Sequence, residues 1–149
     1  MSFRRCEQSI ASRSMLLKFL GKHRDTGLLI LRLGVGAAFI VHGLPKLTGG
    51  PEDWVKFGKA MSHIGIDFFP VFWGFMAAVT EGIGGVLLII GAFYRPICLL
   101  LAFTMTMATL TLALPKNGEF KLYSNPLKLA FVFVGLACVG PGRFSVDKD

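Results

Sequence analysis

Four long apolar blocks decide what this 149-residue chain can fold into. They run from Leu28 to Leu47, from Phe68 to Phe93, from Pro96 to Leu114 and from Pro126 to Gly140. A helix needs about 20 residues to cross a hydrocarbon core of about 30 Å, so the first three blocks are long enough. The fourth reaches that length if residues 123–125 join it. No block alternates with the period of two that a membrane β-barrel requires. The sequence therefore predicts an all-α bundle of four transmembrane helices.

The composition agrees with a protein that contacts membrane lipid. Hydrophobic residues make up 53% of the chain and charged residues only 17%, whereas about a quarter of the residues in a soluble domain are charged. The charges lie between the apolar blocks, and the net charge is +7. Topology and contact with anionic lipid account for this excess, so we expect no nucleic-acid partner.

The distribution of Lys and Arg predicts the orientation of the chain. With four spans, the N-terminus, the middle turn and the C-terminus share one side. That side holds nine Lys and Arg residues, and the other holds four: Lys56, Lys59, Lys116 and Lys121. Because positive charge is retained on the cytoplasmic side, both termini are predicted to be cytoplasmic.

The chain divides into a basic tail, residues 1–27, and a membrane domain, residues 28–149. The tail is predicted either to be disordered or to place Ile10 to Leu20 on the cytoplasmic leaflet as a short amphipathic segment. Residues 1–24 are rich in Arg and Ser, so a mitochondrial transit peptide is the alternative interpretation.

A further short helix is predicted between the first two spans. Pro51, followed by two acidic residues, is a typical helix start. Trp54, Phe57, Met61 and Ile64 then recur at helical spacing. We expect this helix to lie in the membrane interface, with Trp54 as its anchor.

Ionisable side chains inside the first two blocks mark the candidate site. At about 100° per residue, Arg32, His42 and Lys46 fall within roughly a quarter turn of one face of the first span. Such groups face a bundle interior or a wet cavity, because lipid contact costs several kcal/mol. Arg32 and His42 lie about 8 Å on either side of the first span's centre, and Glu81 lies almost at the centre of the second. We therefore predict an Arg32–Glu81 ion pair within reach of His42.

Small residues are expected to bring these two spans together. Gly74, Ala78 and Gly82 are spaced by four along the second span, and the first span offers Gly34, Gly36 and Ala37. Small residues at this spacing let transmembrane backbones approach closely.

The chemistry of the site stays open at this stage. A buried ion pair often only fixes helix packing. An imidazole titrates near neutral pH, so His42 can relay a proton or bind a ligand, or it is a plain interfacial residue. Lys46 either snorkels towards the outer headgroups or supplies positive charge to a ligand. The sequence has no CxxC, HExxH, GxGxxG or Walker motif, and we predict no metal site.

Three segments together resemble the DoxX family of small bacterial membrane proteins. They are "RLGVGAAFIVHGLPKL" (32–47), "EGIGGVLLIIGAFYRP" (81–96) and "GPGRFSVDKD" (140–149). The resemblance implies a four-helix bundle in the bacterial cytoplasmic membrane. The matching positions are Arg32, His42, Gly43, Lys46, Glu81, Gly84, Gly85, Arg95, Gly140, Pro141, Gly142, Ser145 and Asp147. Many members also place a Glu just before the fourth span, where the nearest acid in this chain is Glu119.

The resemblance implies two principal functions. Some members are subunits of thiosulfate:quinone oxidoreductase and others are linked to oxidant defence, which implies a quinone-linked membrane subunit that needs an electron-carrying partner. Its catalytic residues would be His42 and Glu81, and its quinone headgroup would contact Arg32, His42, Lys46 and Glu81. More distant members are assembly or trafficking factors, which implies a non-catalytic scaffold. A protein partner or a homo-oligomer is expected for either function. Proton-coupled transport fits less well, because four short spans show no inverted repeat.

Overall fold

The computed structural model describes residues 23–114 and 119–147, and all of its regular structure there is helical. The elements are α1 (Arg24–Thr48), α2 (Pro51–Gly58), a 3-10 helix (Lys59–Ile64), α3 (Pro70–Ile90), α4 (Tyr94–Ala113) and α5 (Phe120–Val139). α1, α3, α4 and α5 are long and apolar enough to cross a membrane. The predicted four-helix membrane bundle and the short helix between its first two spans are therefore confirmed. The predicted amphipathic segment, Ile10 to Leu20, and the transit-peptide alternative lie outside the described residues.

Two helices begin earlier than their apolar blocks. α1 begins at Arg24, four residues before the predicted start, and α5 begins at Phe120 rather than near Pro126. Pro126 lies inside α5, where the block was expected to start. Proline is tolerated inside membrane helices because neighbouring groups can satisfy the freed backbone carbonyl, so it is a weaker boundary signal there than in water.

The helices pack as two antiparallel pairs, α1 with α3 and α4 with α5. One hydrophobic cluster joins the pairs. Its buried members come from all four long helices, and the Phe39 ring of α1 meets the Phe133 ring of α5 edge-on at 5.1 Å between centroids. Much of the remaining apolar surface points outward, as expected for helices that pack against lipid.

Glycines set the close approach of α1 to α3, as predicted, and Gly36 is one of the α1 residues that the sequence indicated. A Cβ added at Gly36 would overlap the Ile89 side chain and the Gly85 carbonyl. A Cβ added at Gly43 would overlap the backbone of Gly82. The predicted Gly34, by contrast, faces open space. Gly36 is therefore confirmed as a contact residue, and Gly43 is a second one that the sequence analysis did not include in this set.

The predicted interfacial helix packs directly on α3. A Cβ at Gly58 would overlap the Pro70 carbonyl, and one at Gly74 would overlap the Trp54 carbonyl. Trp54 is half-buried, and its ring lies 4.9 Å from the Phe75 ring of α3. The structure packs the Trp54 ring on α3, and its role as an anchor in the membrane interface stays a prediction. α2 is consequently held against the α3 backbone.

Candidate functional site

Arg32 does not pair with Glu81, so the predicted ion pair is wrong. The Arg32 side chain is fully buried, and its guanidinium donates four hydrogen bonds of 2.7–2.9 Å. All four acceptors are main-chain carbonyl oxygens, those of Leu88, Ile89, Pro141 and Phe144. The α3 acceptors begin seven residues beyond Glu81, about 10 Å along the helix axis. Arg32 therefore ties α1 to the end of α3 and to the chain that follows α5.

Main-chain carbonyls explain how a guanidinium can be buried here without a carboxylate. The last carbonyls of an α-helix lack intrahelical partners and carry the negative end of the helix dipole. Leu88 and Ile89 lie in the last turn of α3, so Arg32 satisfies two such carbonyls with one side chain. The Tyr94 ring adds a cation–π contact at 5.5 Å. Gly91, with φ of 74°, leaves the space that the guanidinium fills.

The segment after α5, residues 140–147, forms a strap across this end of the bundle. The Val146 and Asp147 N–H groups donate to the Ile90 and Gly91 carbonyls at 3.3 and 3.0 Å. The Asp147 carboxylate accepts the Tyr94 N–H at 2.8 Å and so satisfies a free donor at the start of α4. The strap therefore completes the ends of α3 and α4, which gives the C-terminal motif a structural role.

Glu81 instead pairs with Lys46. The Lys46 Nζ lies 2.8 Å from Oε1 and 2.6 Å from Oε2 of Glu81. The carboxylate is almost inaccessible, with Glu81 4% exposed, while the Lys46 side chain keeps 30% of its surface exposed. Helical side chains tilt towards the N-terminus of their helix, so Lys46 reaches back along α1 to Glu81 rather than outward. Gly43 allows this contact by bringing the α1 backbone against Glu81.

Two aromatic residues of α2 also contact Lys46. The Trp54 Nε1–H donates to the Lys46 carbonyl at 2.9 Å. The Phe57 ring lies under the ammonium, with Nζ 4.9 Å from the ring centroid. Neither residue was predicted to belong to the site. Their spacing of three places both on one helix face, but the sequence does not show that this face meets Lys46.

His42 lies apart from the Lys46–Glu81 pair. It is exposed on α1, four residues before Lys46, and among the described residues it has no hydrogen bond or ion pair with either member. Of the predicted site residues, the structure thus brings Lys46 and Glu81 together, places His42 about one helical turn from Lys46, and separates Arg32 from all three.

An apolar cavity of about 650 Å³ opens beside Trp54, between α2 and the start of α3. Its lining residues are Trp54, Phe69, Pro70, Val71, Phe72 and Phe75. Trp54 also binds the main-chain carbonyl of Lys46, but neither Lys46 nor Glu81 lines the cavity itself. Among residues 23–114 and 119–147, no cluster of three or more His, Cys, Asp and Glu side chains could hold a metal ion.

Comparison with known proteins identifies relatives over most of the chain. The profile of the DoxX family matches residues 27–114. The chain is 36% identical over 136 residues to "Putative oxidoreductase CatD" of Bacillus subtilis (strain 168), covering 87% of this chain and 96% of that protein. It is 29% identical over 137 residues to "Inner membrane protein YphA" of Escherichia coli (strain K12), covering 86% and 93%. No solved structure matches the chain.

Proposed function

This chain belongs to the DoxX family of integral membrane proteins, and on that premise we propose that it is a membrane subunit of a quinone-linked redox or oxidant-defence system. The name of the Bacillus subtilis relative favours a redox role, and that of the Escherichia coli relative favours the inner membrane. We place both termini in the cytoplasm, on the bias of Lys and Arg along the sequence.

The Lys46–Glu81 pair is the observation that carries this proposal. Both charges lie in membrane-spanning helices, where ionisable residues are rare and usually functional. The two members differ in access, because Glu81 is enclosed while Lys46 keeps an exposed surface. An ammonium has three N–H donors, and two suffice for the Glu81 oxygens. Lys46 can therefore offer a donor to a ligand while its charge stays balanced.

The roles of the side chains follow from this arrangement. A bound quinone supplies the redox chemistry, taking up two electrons and two protons to become the quinol. Lys46 donates a hydrogen bond to a ring oxygen and favours negative charge there. His42, one turn away on α1, holds or releases a proton at the exposed face of the site. Glu81 lies on the enclosed side of the site and exchanges a proton with the ligand there. Arg32 has no accessible surface, so we leave it out of the ligand site.

The cavity that Trp54 lines would suit a flat, apolar ligand, although Lys46 is not among its lining residues. The cavity beside Trp54 has aromatic and aliphatic walls, and its volume lies within the range of about 300–1,000 Å³ typical of small-molecule sites. The sequence has no motif for an electron-carrying centre, so the proposal includes a partner subunit that delivers the electrons.

A non-catalytic scaffold or assembly factor is the second candidate, and the Arg32 network favours it. Several positions that resemble the family, including Arg32 and Asp147, make hydrogen bonds that hold the end of the bundle together. Such residues need no chemistry to account for them. On this alternative, the Lys46–Glu81 pair only fixes the packing of α1 against α3.

Quinone retention distinguishes the two candidates. The protein is purified in mild detergent, and bound quinone is extracted and measured per mole of protein. His42→Ala and Glu81→Gln are compared with wild type, and His63→Ala, an exposed histidine on the 3-10 helix, is the matched control. Thermal unfolding of each variant shows whether the fold is intact.

We expect quinone to co-purify with wild type and with His63→Ala, and to be lost from folded His42→Ala. If wild type holds no quinone and binds no added short-chain quinone, the quinone-linked function is refuted and the scaffold remains. Equal retention by all variants would remove His42 and Glu81 from the site.

A further inference from the structure

We infer that α2 is a clamp for the candidate site, in which Trp54 and Phe57 are positioning residues that hold Lys46 on Glu81. The inference assigns a role to the helix between the first two spans, beyond its predicted place in the interface. Its link to catalysis rests on the proposed function, but the clamp itself is a geometric statement about Lys46.

Trp54 fixes the backbone of Lys46. Lys46 lies in the last turn of α1, where carbonyls have no partner within the helix. The Thr48 hydroxyl lies 3.1 and 3.3 Å from the Leu44 and Pro45 carbonyls, and the Trp54 indole binds the next carbonyl, that of Lys46, at 2.9 Å. The end of α1 is thereby attached to α2, and the starting point of the Lys46 side chain is fixed.

Phe57 holds the other end of the same side chain. Its ring lies 4.9 Å from Nζ, while both Glu81 oxygens lie within 2.8 Å of that nitrogen. A cation between an aromatic face and a carboxylate is attracted from two directions. Trp54 and Phe57 are three residues apart, so one face of α2 contacts both the carbonyl and the ammonium of Lys46.

The clamp is attached to the helix that carries Glu81. The Gly58 and Gly74 contacts leave no room for a side chain between α2 and α3, and Trp54 also packs on Phe75. Lys46 is therefore positioned by a helix whose own position is set by α3. A ligand oxygen can reach the ammonium only on the side that Phe57 and Glu81 leave open.

Reactivity of the Lys46 amine tests this arrangement without any quinone. The full chain in mild detergent is treated briefly with acetic anhydride, and acetylation of Lys46 is measured by mass spectrometry relative to exposed Lys59 of the same molecule. Lys56 is a poorer reference, because its hydrogen bond with Asp53 raises the pKa of its ammonium.

Two pairs of variants separate positioning from a general loss of structure. Trp54→Phe removes the indole N–H and keeps an aromatic ring. Trp73→Phe is its control, because the Trp73 N–H is buried and has no hydrogen-bond partner among the described residues. Phe57→Leu removes the ring beneath Lys46, and Phe57→Tyr restores one.

We expect Trp54→Phe and Phe57→Leu each to raise the relative acetylation of Lys46 by about three- to tenfold, the range that one such hydrogen bond or cation–π contact supports. Trp73→Phe and Phe57→Tyr should remain close to wild type. Unchanged acetylation in Trp54→Phe and Phe57→Leu would overturn the clamp, and so would an equal rise in Trp73→Phe. If these variants behave as expected and no form of the protein binds quinone, the clamp stands and the proposed function fails.

Discussion

Replacing Arg32 with methionine is expected to be among the most destabilising changes in this protein. The substitution keeps a long apolar side chain but removes all four hydrogen bonds of the guanidinium. An unsatisfied buried polar group costs about 1–3 kcal/mol, so four carbonyls give a simple sum of about 4–12 kcal/mol. Water that enters at this end of the bundle offsets part of that cost, so we expect the free energy of unfolding to fall by an amount near the lower end of this range, about 4 kcal/mol. Even that loss is comparable with the total stability of many domains, about 5–15 kcal/mol.

The assay is equilibrium unfolding in mild detergent, with Arg24→Met as the matched control. Arg24 lies on the same helix, and its exposed guanidinium donates one hydrogen bond, of 2.8 Å, to the Val139 carbonyl. Its loss should cost no more than about 1.5 kcal/mol. Arg32→Lys should recover only part of the stability, because a compact ammonium has three donors and cannot match a planar guanidinium that reaches four acceptors. The reasoning is refuted if Arg32→Met is no more destabilising than Arg24→Met.

Three further predictions concern the rest of the bundle. In a double-mutant cycle of Lys46→Met and Glu81→Gln, unfolding should show coupling above about 1 kcal/mol, and additive losses would mean that the two residues do not interact. Gly74→Ala should destabilise the protein by about 1–3 kcal/mol, because the added Cβ meets the Trp54 carbonyl. Gly34→Ala should leave the stability unchanged, because Gly34 faces open space. Equal midpoints of thermal unfolding for the two variants would contradict this packing. Reporter tags at the C-terminus and in the segment between the first two spans should report opposite sides of the membrane, and the same side for both would exclude the predicted topology.

The sequence alone determined the class of fold and the number of spans. Length and continuity of apolar residues are sufficient here, because each spanning helix must satisfy its backbone internally and present apolar side chains to lipid. The same kind of pattern indicated a short helix beginning at Pro51, which the structure confirms. Small residues also predicted that α1 and α3 meet closely, since only such residues allow backbones to approach in a membrane.

Tertiary structure alone decided the partners of the charged residues. Depth and helical rotation left Arg32 and His42 both within possible reach of Glu81, but each estimate carries an error of several ångströms. The acceptors of Arg32 are main-chain carbonyls, which leave no residue-specific signal in a sequence, and two of them lie more than 100 residues away in the strap. Lys46 was placed near the interface by its depth, yet the tilt of its side chain and the glycine contact at Gly43 bring it to Glu81. Hydropathy specifies which segments cross the membrane, whereas a buried charge takes its partner from the backbone geometry around it.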